Sequence, residues 1–490
     1  MSWQNILKLI KSDYIKLVPI LALACYIAFI PKLSYPYPVH IDEWVHMAFS
    51  NEIIAEGSIS INYPFDGEPM VLQRKMEVGF QLLLGTLQNI FGISWNTIFR
   101  YLPSIIFAFT ALSVYLMGRK EGFGWQAALL CCLVPTTVGI LGPGFLVPVA
   151  LALLFLPLMI YIAYNYRRWW SYLLLFVLNS FVISIHGPSA ICITTILIPY
   201  IILSFRSEPK HSLLMFIALI GPFILTLPLT YGYAVSLIRS LIQESGEITG
   251  HDMLMLFRDF GYLPIILTFV GIIGLSVRGG TRNLSLATGL ALLLGLMAAF
   301  YTFGYGISII YLRSLLFAML LMAIIGGAGL KEIGQLRLPE TWFNFPTINK
   351  CIGPGISIIL IAVTLATTIP DRQEEGYYHM IDSHDYEAFV WIRDNVEDSY
   401  NKAMLDPWKA TPFTAITGKH VYTRIHNAPT TTSTETYKFI INGCKDTDFL
   451  RENGVSIIYS RVDYKGREAD YTPDNPDLVE VRENIYLLKE

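Results

Sequence analysis

Charged residues are scarce in this 490-residue chain: Asp, Glu, Lys and Arg together make up 15% of it, while 53% is hydrophobic. A soluble protein of this length carries about a quarter charged residues, so the composition excludes an ordinary soluble enzyme. Apolar runs of about 18 residues recur through the first three quarters, each long enough to cross roughly 30 Å of hydrocarbon. The sequence predicts an α-helical polytopic membrane protein.

Cysteine is sparse as well. The chain has six cysteines, four of them in or at the ends of apolar runs, and no CxxC pair. This distribution argues against a disulfide framework or a cysteine-based metal site. A small-residue cleavage site is missing after the first apolar run, so we expect the first helix to stay in the mature protein.

Eleven segments have the length and apolarity of membrane spans. Their approximate bounds are 15–31, 97–117, 125–141, 145–164, 169–186, 188–205, 212–231, 262–277, 284–304, 308–330 and 353–370. The stretch 78–93 is interrupted by Gln81, Gly85 and Gln88, which predicts an amphipathic helix lying at the membrane surface.

Lys and Arg concentrate in alternate loops. With eleven spans, one set of loops is rich in these residues throughout: 118–120, 165–170, 205–211, 277–283 and 331–337. The opposite set is acidic or neutral. The positive-inside rule then predicts a cytoplasmic amino end and an extracytoplasmic carboxyl end in the cell membrane.

The predicted outer face receives two long loops, 32–96 and 232–261, and a polar tail. We expect a transmembrane domain over 1–370 and a small extracytoplasmic α/β domain over 371–490. Helix and strand patterns alternate in this tail, which closes with a hairpin turning near Glu483, and such alternation is typical of a compact α/β unit.

Aspartate and glutamate are absent from all eleven predicted spans. Ion-coupled transporters usually carry such residues along their pathway, so the pattern disfavours one. The acids gather instead at the outer rim, beginning with the adjacent Asp42 and Glu43. A carboxylate at this surface can accept a proton from an attacking hydroxyl. The alternative is that Asp42 caps a helix starting near Glu43.

Histidines flank this acidic pair. His40, Asp42 and His46, with or without Glu43, could hold a divalent metal, although the spacing H-x-D-E-x-x-H matches no zinc pattern. Hard cations also prefer oxygen ligands. The alternative is that the histidines lie at the headgroup level, and we expect no metal or other cofactor.

Arg313 is the only charge deep inside a predicted span. Its burial without a partner would be costly, and a lipid-linked phosphate could pair with its guanidinium in a bidentate way. The alternative is snorkelling to the headgroups. Arg100 is a second candidate or a headgroup anchor, and His186 either faces a cleft or ends its helix. Weaker substrate-binding candidates are His46, Arg258 and His251.

Several phrases resemble a known family. The first outer loop, IDEWVHMAFSNEIIAEG, is similar to the first-loop motif of the C-type membrane glycosyltransferase superfamily. Residues 77–119 resemble the surface helix and second span of its dolichyl-phosphate-mannose protein mannosyltransferase-like branch. The tail phrases FVWIRDN, AITGKHVYT and FLRENGVSIIYS resemble the outer domain of prokaryotic and archaeal members. The WWDYG-type signature of oligosaccharyltransferase catalytic subunits is absent, which argues against en bloc glycan transfer.

The resemblance implies an inverting glycosyltransferase that moves a sugar from a polyprenyl- or dolichyl-phosphate donor to a glycan, lipid-linked glycan or protein acceptor. It assigns the base to Asp42, with Glu43 assisting, and the donor phosphate to Arg313, Arg100 or His186. The second outer loop, LGPGFLVP, lacks the acid that several relatives carry.

A second hypothesis is a non-catalytic or transport protein for lipid-linked sugars, such as a flippase or an envelope-assembly scaffold. The acid-free spans disfavour the flippase. Under either hypothesis the partners are a lipid-linked sugar and the bilayer, and not nucleic acid.

Overall fold

The computed structural model describes residues 13–71, 77–242, 253–304, 308–339, 346–425, 430–464 and 467–489. Within these ranges, eight helices are long and apolar enough to cross a membrane. The helices up to residue 374 are α1 (Asp13–Phe29), α2 (Ile41–Glu56), α3 (Val78–Phe91), α4 (Trp95–Arg119), α5 (Gly124–Cys131), α6 (Pro148–Leu153), α7 (Phe155–Asn165), α8 (Trp169–Phe205), α9 (Pro209–Ile242), α10 (Met255–Phe260), α11 (Tyr262–Arg278), α12 (Thr281–Phe303), α13 (Ser308–Gly334) and α14 (Pro346–Glu374). The protein is thus an α-helical multi-pass membrane protein, as the sequence predicts.

The predicted spans coincide with helices, with one exception. Segment 125–141 is helical only over α5, so its prediction as a full span is wrong. Val134 precedes Pro135, and a residue before proline avoids the helical conformation. The chain then forms a buried irregular loop in which the Gly144 N–H donates to the Thr136 hydroxyl at 2.8 Å.

Helix α3 confirms that the interrupted stretch 78–93 forms a helix. Its 14 residues extend about 21 Å, too short to cross the hydrocarbon core. Helix α11 has 17 residues and is likewise not among the eight segments that are long and apolar enough to cross a membrane.

Helix α8 contains two of the predicted spans. Its 37 residues would extend about 55 Å if straight, far more than the bilayer requires. His186 interrupts the helical backbone, with φ −164° and ψ 94°, directly before Gly187 and Pro188. The two predicted spans are therefore two helical segments that meet at His186.

The chain forms two compact units. The first comprises Met1–Ser34, Arg74–Phe80 and Phe99–Tyr377, and the second comprises Tyr35–Gln73, Gln81–Ile98 and Tyr378–Glu490. The second unit therefore combines most of the first long loop with the carboxyl-terminal domain, and Asp42 belongs to it.

Helix α13 is the core of the first unit, because every residue from Ser314 to Leu330 is buried. Glycines allow its backbone to approach that of α11. A Cβ on Gly271 would lie 2.0 Å from the Ile325 carbonyl oxygen, and one on Gly329 would lie 2.0 Å from the Leu267 carbonyl oxygen. Such small residues are typical of closely packed membrane helices.

The second unit is built on a five-stranded mixed sheet. Its helices and strands are β1 (Ser60–Asn62), β2 (Pro69–Val71), α15 (Ser383–Asn395), β3 (Lys402–Met404), α16 (Ala410–Thr417), β4 (His420–Val421), α17 (Thr431–Ile441), α18 (Thr447–Glu452), β5 (Ile457–Tyr459), β6 (Arg461–Tyr464), β7 (Arg467–Asp470), β8 (Leu478–Arg482) and β9 (Ile485–Leu488). The strand order is β4-β3-β5-β9-β8, with β3 parallel to β4 and β5 and the other pairs antiparallel. The predicted small α/β domain is present, and its last hairpin turns at Asn484, where φ is 63°.

A buried ionic network ties the helices and strands of this unit together. The Lys409 ammonium donates to Asp385 at 2.9 Å and to Glu468, and the Tyr459 hydroxyl also donates to Asp385. Arg461 adds two bonds to Asp382 at 3.0 and 2.7 Å. The Lys409 and Asp385 side chains are 3% and 1% exposed, so each charge is compensated by the other in the absence of solvent.

Replacing Lys409 should destabilise the second unit strongly. Lys409→Met leaves the Asp385 carboxylate buried without its main cation, which costs about 3 kcal/mol, the lower end for breaking a buried pair, because Tyr459 and Arg461 remain nearby. The measurement is thermal unfolding of the full chain in nanodiscs. The control is Lys445→Met, which removes an exposed pair with Asp474 and should cost under about 1 kcal/mol. Equal melting of the two variants would contradict the network.

Candidate functional site

The acidic pair lies in the first turn of α2, and His40 rather than Asp42 is the N-cap. The His40 Nδ1 atom accepts from the Asp42 N–H at 3.1 Å. The Glu43 carboxylate accepts from the Val39 and His40 N–H groups at 2.8 and 3.2 Å, which completes a capping box. The alternative that Asp42 caps the helix is therefore wrong, since Asp42 lies inside it.

The two neighbouring carboxylates have different environments. Glu43 is fully buried, and its Oε2 atom is occupied by backbone donors. Asp42 is 29% exposed, and its Oδ2 atom lies 3.8 Å from His40 Nδ1. Because Nδ1 accepts the Asp42 N–H, it carries no proton to share with that carboxylate. The arrangement leaves Asp42 accessible at a rigid helix end, where it can exchange a proton with a ligand.

Contacts within the second unit hold α2 in place. The Asn51 amide donates to the Ala415 carbonyl at 2.9 Å and accepts from the Trp95 indole N–H at 2.8 Å. The Tyr378 N–H donates to the Val39 carbonyl at 3.0 Å, one residue before the cap. The base candidate is therefore attached to the carboxyl-terminal domain on both sides of its turn.

Glu52 is the other partly buried acid of α2. Burial raises its pKa, Glu56 raises it further by repulsion, and His420 opposes the shift. Ten residues separate it from Asp42, which is about 15 Å along a helix. Glu52 therefore lies away from the turn that presents Asp42.

The residues around Asp42 do not fit a divalent metal. His40 Nδ1 and Glu43 Oε2 already accept backbone N–H groups, which leaves few free donors for an ion. A second acidic group, Asp382, Asp385 and Glu468, has its ligand atoms within 4.8 Å of one another. Lys409 and Arg461 already bind these acids, so the positive charge there is supplied by the protein. We derive no step through a metal.

The cationic candidates lie in the first unit. Arg313 is half-buried in α13, and the adjacent Ser314 hydroxyl lies 3.4 Å from the Cys192 thiol of α8. His186 precedes Cys192 by six residues, about 9 Å along a helix. The structure therefore brings Arg313 and His186 to neighbouring helices.

His186 also has a structural role. Its Nδ1 atom accepts from the Ser189 N–H at 3.2 Å and lies 2.7 Å from the Ser189 hydroxyl, as a cap of the second segment of α8. The alternative that His186 ends a helix is therefore supported. Its role toward phosphate stays a prediction.

The remaining candidates differ in setting. The Arg100 guanidinium lies 5.7 Å from the ring centres of both Phe29 and Tyr101. Arg258 donates to Asp259 at 2.8 Å. His46 is buried in α2, while His251 lies outside the described residues.

Arg372 is one of several buried cations that the sequence analysis did not single out. Arg372 is 6% exposed near the end of α14 and donates to the backbone carbonyls of Asp259 and Leu133. Its position just after the last predicted span made it look like part of the polar tail. The run of charged residues around it, Asp371 to Glu375, concealed that a single guanidinium turns inward.

No protein-family model matches this chain, and no curated protein matches its sequence. Solved structures do match its fold. The Archaeoglobus fulgidus oligosaccharyltransferase in the apo form has a TM-score of 0.61 at 12% identity, over 91% of this chain and 69% of that one. The same organism's AglB, in complex with an inhibitory peptide and a dolichol-phosphate, gives 0.58 at 12% identity, over 93% and 70%.

A mycobacterial enzyme of another specificity matches as well. The arabinofuranosyltransferase AftD from Mycobacteria has a TM-score of 0.53 at 14% identity, over 95% of this chain and 37% of that one. Both neighbours are C-type membrane glycosyltransferases. The chain therefore has the fold of that superfamily, and the resemblance noted in its sequence is confirmed at the level of fold.

Removing the Glu43 carboxylate should loosen the turn that carries Asp42. Glu43→Ala leaves the Val39 and His40 N–H groups without their acceptor, and each unpaired buried group costs about 1–3 kcal/mol. Hydrogen exchange by mass spectrometry should then show faster exchange over residues 39–43. Glu56→Ala, at the exposed end of the same helix, is the control. Unchanged exchange in Glu43→Ala would refute the capping role.

Proposed function

We propose that this protein is an inverting glycosyltransferase that takes a sugar from a polyprenyl- or dolichyl-phosphate donor on the outer face of the cell membrane. One observation carries the proposal: Asp42 is an accessible carboxylate on a rigid helix end, while its neighbour Glu43 is fully buried and bound to the backbone. The fold of C-type membrane glycosyltransferases supports the reaction class.

Asp42 acts as the general base in this mechanism. Its carboxylate accepts the proton of an acceptor hydroxyl while the hydroxyl oxygen attacks the anomeric carbon of the donor sugar. The bond between that carbon and the phosphate oxygen breaks on the opposite face, and the polyprenyl phosphate leaves with the bonding electrons. The anomeric configuration is inverted, since a single displacement takes place.

Cations of the first unit bind the donor phosphate. Arg313 is the principal candidate, because guanidinium pairs with phosphate through two parallel N–H bonds and because its neighbour Ser314 contacts α8, the helix that carries His186. Arg100 is the third. Negative charge builds up on the departing phosphate during transfer, so cations that stabilise this charge lower the barrier to transfer.

The solubility of the lipid donor in the bilayer explains why the protein combines membrane-spanning helices with a polar unit. A polyisoprenoid donor dissolves in the bilayer while its phosphate and sugar stay at the headgroup plane. The eight spanning helices provide contact with the lipid, and the second unit provides a soluble scaffold for the acceptor. With the amino end in the cytoplasm, the second unit lies outside the cell, and the acceptor is a glycan, a lipid-linked glycan or a protein.

A lipid-binding protein without catalysis is the second candidate. The same cations would serve a scaffold or a flippase for lipid-linked sugars. Asp42 would then have no chemical task, so its substitution separates the two functions.

Asp42→Asn should abolish transfer and preserve the fold. An amide has the size of the carboxylate but cannot take up the proton, and general-base catalysis contributes about 10²–10⁴-fold to a rate. The measurement is transfer from labelled polyprenyl-phospho-sugars to a glycan acceptor in nanodiscs, with donor binding followed in parallel. Glu56→Gln, an exposed acid on the same helix, is the control. Full activity in Asp42→Asn would eliminate Asp42 as the base.

Arg313→Gln should weaken donor recognition. A hydrogen bond to a charged group contributes about 1.5–3 kcal/mol, so the KM for the donor should rise about 10- to 100-fold while the KM for the acceptor stays constant. Arg313→Lys should recover part of the loss because it keeps the charge. The control is the exposed Arg337→Gln. A donor KM unaffected by Arg313→Gln would remove Arg313 from the site.

A further inference from the structure

Three rings of the second unit form a row that begins next to Asp42. The His40 ring lies 5.5 Å from the Tyr378 ring, and Tyr378 meets Trp408 edge-to-face at 5.2 Å. We call His40, Tyr378 and Trp408 the aromatic row. Tyr378 and Trp408 are half-buried, so parts of both rings remain open to a ligand.

Hydrogen bonds to a buried carboxylate, Asp406, hold the loop that carries Trp408. Asp406 is fully buried and accepts from the Trp408 N–H at 2.8 Å, the Tyr437 hydroxyl at 2.7 Å and the Asp463 N–H at 2.9 Å. Burial raises the pKa of Asp406, against the opposing effect of these donors. A side chain on such a support loses little entropy when it binds a ligand.

The residues on both sides of Trp408 are buried, while Trp408 itself is half-buried. Pro407 is buried, and Lys409 is 3% exposed in the ionic network. Within the described residues, the Trp408 indole N–H has no acceptor in the protein. The loop thus presents a flat apolar surface and one unused hydrogen-bond donor.

These features match the chemistry of a saccharide. One face of a pyranose consists of C–H groups, which pack against the electron-rich face of an aromatic ring, and its hydroxyls accept hydrogen bonds. An extended peptide is a poorer match, because peptides commonly bind by adding a strand to a sheet edge. At this end of the sheet the β4 edge is already covered, since the Val421 N–H donates to the Phe65 carbonyl at 2.9 Å.

We propose that Tyr378 and Trp408 form a platform that binds the acceptor, that the acceptor is a saccharide, and that the platform directs a sugar hydroxyl toward Asp42. This inference rests on the proposed transferase function and adds the class of the acceptor. Trp408 is a positioning residue, and Asp42 remains the base.

Kinetics test the positioning role. Trp408→Ala should raise the KM for a glycan acceptor about tenfold, because it removes the apolar surface against which the C–H face of the sugar packs. The donor KM and the pH profile of kcat should not change. Trp408→Phe should recover most of the loss. The matched control is Trp391→Ala, another half-buried tryptophan of this unit, whose ring face is covered by Arg482 at 5.6 Å.

Binding tests the platform without any need for transfer. Saturation-transfer NMR on the full chain in nanodiscs would use chitotriose, maltotriose and mannotriose as probes, with a threonine-containing hexapeptide as the competing class. We expect at least one saccharide to bind, to be lost in Trp408→Ala and to be retained in Asp42→Asn.

The outcomes separate the two proposals. Saccharide binding that survives Trp408→Ala, or the absence of binding by all three saccharides, would overturn the platform. Binding of the hexapeptide alone would overturn the class of acceptor. Saccharide binding that depends on Trp408 in a protein whose transfer is unaffected by Asp42→Asn would instead overturn the proposed base and keep the platform.

Discussion

A buried carboxylate that binds two backbone N–H groups determines what the loop between α1 and α3 can do. Glu43 accepts from Val39 and His40, while the His40 ring accepts the Asp42 N–H, so the first turn of α2 is closed on itself. The Val39 carbonyl then accepts from Tyr378, which attaches this turn to the carboxyl-terminal domain. The two adjacent acids therefore have different roles: Glu43 holds the backbone of the turn, and Asp42 remains accessible.

The spanning helices were largely predictable, because hydropathy follows from the bilayer alone. The orientation inferred from Lys and Arg stays a prediction. The break of α8 at His186 was also within reach, since Gly187 and Pro188 follow it. Segment 125–141 shows the limit: its composition is that of a span, but Pro135 and the Thr and Gly residues after it fold as a buried loop. Hydrophobicity reports burial, and it does not distinguish burial in lipid from burial in protein.

The candidate site was predictable only in part. Their adjacency in the sequence identified Asp42 and Glu43 as candidates. Local propensity favoured Asp42 as the N-cap of α2, but in the folded chain the buried His40 takes that position and Asp42 lies inside the helix. The link between the first loop and the tail depends on contacts across more than 300 residues, such as Asn51 with Ala415, which no short motif records. Trp408 carried no signal for the same reason, since its importance comes from the ring beside it and from the buried Asp406 beneath it.

We propose a single displacement at the anomeric carbon, with Asp42 as the base. The most direct measurement is the anomeric configuration of the product, determined by NMR after transfer from a polyprenyl-phospho-sugar of known configuration. We expect complete inversion, because one displacement exchanges the faces of the sugar. Retention of configuration would mean a double displacement or attack on the same face of the sugar, and would contradict the single displacement assigned to Asp42.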